Sequence, residues 1–173
     1  MMTLAKGLTS GYLPMSAVMV GDRVAAKLIA DGGEFYHGFT YSGHPVAAAV
    51  ALANLQIIED EKLIERVRDD TGPYLAAALA PLADHPLVGE VRSSGMLAAI
   101  ELVKDKAGPV LFDPIGDVGT ICRDHAIAGG MMMRAVRDGM IMSPPLTFSR
   151  ADIDDAVRIA AMALDKTAAD LRI

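Results

Sequence analysis

At 173 residues, the chain is long enough for one sizeable domain or two small ones. Apolar residues make up 52% of it and charged residues 22%, which excludes global disorder. The net charge of −6, with Lys and Arg scattered, excludes a basic nucleic-acid face, and the single cysteine, Cys122, excludes both a disulfide framework and a cysteine-rich zinc site.

Aromatic residues contribute only 5% and Trp is absent, so the hydrophobicity rests on Ala, Val, Ile, Leu and 11 Met. This predicts either a large core or apolar surface reserved for another chain. The opening residues Met1 to Lys6 lead into no apolar signal segment. The longest charge-free stretch, 35–58, contains His37, Gly38, Gly43, His44 and Pro45 and does not read as a membrane span. A cytoplasmic protein without membrane or nucleic-acid partners is expected.

In chain order, residues 6–14 are turn-rich. Residues 15–20 form a short apolar run ended by Gly21 and predict a strand. Asp22 is the expected N-cap of a helix to Ile29, stopped at Gly32 and Gly33. A glycine-rich loop, 36–44, precedes Pro45, which suits the first turn of a long helix with Val46, Val50, Leu55, Ile58, Leu63 and Ile64 at helical spacing. The charged run 59–62 reads as a solvated break. Gly72 and Pro73 predict another break, before a helix over 74–82.

The texture changes at Asp84-His85-Pro86, which divides the chain into 1–83 and 84–173. Strands are expected at 88–91 and 96–103, and a helix at 117–127. Two short strands, 131–136 and 140–143, flank the hairpin turn Arg137-Asp138-Gly139. Ser149 caps a last helix from Arg150 to about Leu171, with Ile153, Val157, Ala160 and Leu164 on its inner face. The second half reads as a compact α+β unit, and the first as an element set whose beginning is missing.

Three places could carry chemistry. Lys6 sits beside Gly7, with Gly11 and Pro14 close behind. A deprotonated lysine amine attacks aldehydes, and neighbouring glycines let a bulky group approach the backbone; taken alone, Lys6 reads first as a solvated loop lysine and only second as a catalytic one. The segment from His37 to Pro45 offers hydroxyls and glycine amides ahead of a helix N-terminus, an arrangement that holds phosphate, or that simply caps a helix. Its two histidines lack a third ligand at useful spacing, so no metal site is expected. Arg134 follows three methionines in an apolar strand, suited to bidentate pairing with a carboxylate, or to the solvent face of an edge strand. Cys122 reads as core packing.

Taken together, the segments are not anonymous. Residues 5–18, Ala-Lys-Gly-Leu-Thr-Ser-Gly-Tyr-Leu-Pro-Met-Ser-Ala-Val, resemble the cofactor-lysine segment of class III aminotransferases. The segment His37 to Pro45 resembles that family's next loop, and 85–92 and 95–102 resemble the opening strands of its C-terminal domain. Met133-Arg134 through Ser143-Pro144-Pro145-Leu146 is most similar to the amine:pyruvate or ω-amino-acid branch.

The resemblance implies an α/β chain: a truncated fold-type-I pyridoxal-phosphate-dependent transferase, with 1–83 from the large domain and 84–173 as the small α+β domain. It implies that Lys6 forms the Schiff base with pyridoxal 5'-phosphate and shuttles the proton. It implies that Thr40 reaches the cofactor phosphate across a homodimer interface, and that Arg134 pairs with a substrate carboxylate. The reaction would move an amino group between an amine or ω-amino acid and a keto acid such as pyruvate, and an isomerase of the same family is a lesser option. The family's phosphate cup, stacking aromatic and pyridine-nitrogen aspartate lie before the lysine and have no counterpart here. The chain alone is therefore expected to be poorly active, to need a missing N-terminal half in complement, or to survive as a non-catalytic interaction module.

Overall fold

The computed structural model describes every residue except Glu34 and Pro109. The chain divides into two compact units, Met1–Lys62 and Leu63–Ile173.

The first unit opens with β1 (Met2–Leu4), which pairs antiparallel with β2 (Ala17–Met19), Thr3 facing Val18. The strand expected at 15–20 is thus shorter, and its partner is too short to show alternation in the sequence. Between them lies a one-turn 3-10 helix, Lys6–Thr9. Helix α1 (Asp22–Asp31) starts on Gly21 rather than Asp22. The Asp22 carboxylate sits in the first turn, where the helix dipole favours negative charge, and caps nothing. Helix α2 (Pro45–Asp60) begins at Pro45 as the sequence predicts, and the chain leaves it through Lys62, with φ 51°.

The second unit begins with a continuous helical run: α3 (Leu63–Arg66), a π turn (Val67–Thr71), α4 (Gly72–Leu79) and a 3-10 stretch (Ala80–Asp84). Gly72-Pro73 does not break it. The Gly72 amide reaches back to the Val67 carbonyl, and this wider turn relieves the clash a proline ring would otherwise make with the carbonyl four residues earlier. Gly72 is required there, because a Cβ would strike the Val67 carbonyl oxygen and lie 3.1 Å from Gly95 Cα. Leu75 and Leu79 of this run are fully buried in the core of the second unit. The compact unit therefore starts at Leu63, whereas the change in sequence texture comes at Asp84.

A four-stranded antiparallel sheet follows, in the order β3-β4-β6-β5, from β3 (Val88–Ser94), β4 (Leu97–Leu102), β5 (Arg134–Val136) and β6 (Gly139–Met142). Helices α5 (Asp117–Ala128) and α6 (Arg150–Leu171) complete the unit. Strand β5 starts later than expected because Met131 still donates its amide to Ala126, closing α5 through Gly130 at φ 96°.

The core joins Leu75, Leu79, Val88, Ile100, Met140, Ile153 and Leu164, each worth roughly 1.5–3 kcal/mol of burial. Val157 packs only at its margin, and Ala156, Ala163 and Thr167 complete the inner face of α6. Cys122 is 1% exposed within this core, and burial pushes its thiol pKa up, as suits a packing residue.

Candidate functional site

Lys6 opens the 3-10 turn with its backbone in the left-handed region, φ 50°, and its side chain exposed. The turn ends on Ser10, also left-handed at φ 49°. Buried Thr9 anchors the following loop by donating its hydroxyl to the Leu13 carbonyl at 2.5 Å. From α2, Asn54 Nδ2 donates to the carbonyls of Gly7 at 2.9 Å and Leu8 at 3.2 Å, while its Oδ1 accepts from the Ser10 hydroxyl at 2.5 Å. Sequence reasoning passed over Asn54. The available signal was a lone amide in the run Ala51-Leu52-Ala53-Asn54-Leu55.

Lys6 lines an open cleft of about 590 Å³ with Gly11, Leu13, Pro14, Met15 and Ser16. Pro14, Met15 and Ser16 also wall a neighbouring cleft of about 250 Å³, closed on its far side by Phe39, Tyr41, Ser42 and His44. The loop from Phe39 is knit by Ser42, whose hydroxyl accepts from the Phe39 amide at 3.0 Å. His44 Nδ1 accepts from the Ala47 amide at 3.4 Å and caps α2. Thr40, at the tip of this loop, is exposed and is not among the residues lining either cleft.

Arg134 belongs to the second unit. It begins β5, opposite Ile141 of β6, with its side chain exposed. The hairpin that carries it is pinned by Asp138, which is only 2% exposed. The Asp138 carboxylate accepts from the Gly116 amide at 3.0 Å and the Gly119 amide at 2.9 Å, capping the start of α5. Its carbonyl accepts from Leu102 of β4 at 2.9 Å. Gly119 has to be glycine, since a Cβ would collide with the Arg137 carbonyl oxygen. Among the described residues, no group of three side chains is placed to hold a metal ion, and no helix is long and apolar enough to cross a membrane.

A lysine turn, a capped loop ahead of a helix and a strand-borne arginine occur here in the order of one enzyme family, and the aminotransferase class-III model matches residues 1–164. The chain belongs to the class-III aminotransferases. It is similar to the putrescine–pyruvate aminotransferase of Pseudomonas aeruginosa, 54% identical over 169 residues, covering 98% of this chain and 37% of the relative. It is 44% identical to the diaminobutyrate–2-oxoglutarate transaminase of Halomonas elongata, over 96% of this chain and 36% of that one.

Among solved structures, a transaminase with L-Ala superposes with a TM-score of 0.93 at 40% identity, covering 98% of this chain and 40% of that one. An (S)-enantioselective ω-transaminase from Thermomicrobium roseum superposes at 0.90 and 44% identity, over 95% of this chain and 37% of its own. The fold is thus the corresponding part of the fold-type-I transferases. The chain spans well under half the length of these relatives.

Proposed function

We propose that this chain supplies the cofactor-lysine segment and the small domain of a pyridoxal-phosphate-dependent transaminase. Its donor would be an amine or ω-amino acid, and its acceptor a keto acid such as pyruvate. The observation that carries the reading is the 54% identity to a putrescine–pyruvate aminotransferase across nearly the whole chain.

The residues present fit the aldehyde end of pyridoxal phosphate. Lys6 offers an amine at an open cleft, and Gly11, at φ 76°, leaves the cleft wall without a side chain. Lys6 would hold that group, and its Nζ would take the proton from the substrate carbon bearing the amine and later return one. The outward-facing Thr40 would offer its hydroxyl to the phosphate of a second subunit. Arg134 would orient a substrate carboxylate through its planar pair of N–H donors. When bound, the cofactor supplies the electron sink that stabilises the carbanion.

The test is reduction with borohydride after adding pyridoxal phosphate, with the adduct located by peptide mass. The expected result is a pyridoxyl group on Lys6, strengthened when the N-terminal part of an aligned relative is supplied in trans. No adduct under either condition overturns the catalytic reading and leaves a non-catalytic interaction module.

A further inference from the structure

The turn that presents Lys6 is only partly held by its own backbone. Its bonds from Leu8 to Ala5 and from Tyr12 to Thr9 are 3.1 and 3.0 Å, but those from Ser10 to Gly7 and from Gly11 to Lys6 are 3.2 and 3.3 Å, against a common length of about 2.9–3.0 Å. Two of its residues, Lys6 and Ser10, hold left-handed φ values that a side-chain-bearing residue keeps only when its surroundings over-determine them. The β1–β2 pairing and the Thr9–Leu13 bond frame the turn, and one side chain 44 to 47 positions away binds it directly. Asn54 spends both kinds of polar group on the turn, donating to Gly7 and Leu8 and accepting from Ser10.

Helix α2 is shaped for this contact. Ala47, Ala51 and Asn54 share one face, and the two alanines are buried, so the turn comes close and the half-buried amide closes on it. The same helix carries the loop of Thr40 and His44 at its N-terminus, so α2 mounts both halves of the candidate site in this unit.

We infer that Asn54 is a positioning residue for Lys6: its amide N–H groups clamp the Gly7 and Leu8 carbonyls and hold the Lys6 amine at the cleft. The inference rests on the reading of Lys6 as the cofactor lysine. It assigns Asn54 no contact with substrate or cofactor.

The deciding variant is Asn54→Asp, which keeps the side chain's size but has no N–H to donate and opposes the two carbonyls with negative charge. Asn54→Ala and Ser10→Ala accompany it. Two quantities are read. One is hydrogen exchange at the Leu8, Ser10, Gly11 and Tyr12 amides in the chain without cofactor. The other is the rate of borohydride-trapped pyridoxyl adduct on Lys6 as a function of pH.

Both Asn54 variants are expected to speed local exchange and slow trapping by about tenfold each, as the loss of one or two hydrogen bonds implies, with exchange in the second unit unchanged. Ser10→Ala, which spares both clamping donors, is expected to do less. Normal exchange and normal trapping in Asn54→Asp overturn the clamp. Fast exchange with normal trapping also overturns the proposal, since it leaves Asn54 structural only. Where Asn54→Ala fails to fold, the similarly sized Asn54→Asp decides. If the unaltered chain forms no adduct, it is the reading of Lys6 that fails; if it forms one that Asn54→Asp forms equally fast, only the role of Asn54 fails.

Discussion

A single arginine can separate substrates by charge without touching the reaction itself. The exposed guanidinium of Arg134 sits on a strand anchored through Asp138, so it presents its donors from a fixed base. Arg134→Ala is expected to raise KM for an ω-amino acid while leaving a simple amine nearly unchanged, with each half-reaction assayed separately. Equal loss on both donors would remove Arg134 from the carboxylate role. Lys6 and Arg134 could be picked out of the sequence because glycine neighbours and an apolar strand make a charged residue conspicuous. Asn54 and Asp138 could not. Their partners lie 19 to 47 positions away, and a tertiary hydrogen bond leaves no local pattern.

At the level of elements, the last helix is the most completely determined. Ser149 and Asp152 form a reciprocal box: the Asp152 carboxylate accepts from the Ser149 amide at 2.8 Å, and the Asp152 amide donates to the Ser149 hydroxyl at 3.2 Å. The Ser149 hydroxyl and amide hold the Asp152 carboxyl below its ordinary range. Because the folded value is depressed, its contribution to stability is full above the unfolded carboxylate range and is lost as pH falls through the lowered value. Ser149→Ala is expected to cost a few degrees of melting temperature near neutral pH and less in acid, as followed by thermal melts across pH. A difference that stays constant into acid would show that the box does not titrate with Asp152. The partnership of Ser149 with Asp152 shows only in the structure, whereas Ser149 itself was legible as the cap because it stands directly before the helical pattern. The run from Leu63 to Asp84 was not, because glycine and proline stop an α-helix yet are accommodated by the wider turn at Val67–Thr71.

For the molecule as a whole, the two units differ in what they bury. Among the described residues of Met1–Lys62, Thr9, Ala47 and Ala51 are the buried ones, while Tyr12, Phe35, Tyr36, Phe39 and Tyr41 are 72% exposed or more. So little core beside so much exposed apolar surface is the pattern of a surface that associates. The chain made alone is expected to self-associate, with a sedimentation coefficient that rises with concentration; a constant monomer value would refute this. The apolar excess in the composition is thus divided between a true core in the second unit and uncovered surface in the first.

The place of Arg134 on β5 has a bearing on engineering. Among the described residues, β5 pairs only with β6, which makes it an edge strand of the sheet. A charge on such an edge keeps neighbouring molecules from zipping onto the sheet. Swapping Arg134 for a large apolar side chain would therefore remove that guard and lower solubility, and a compensating lysine on the same strand, at Val136, is where the charge can be restored.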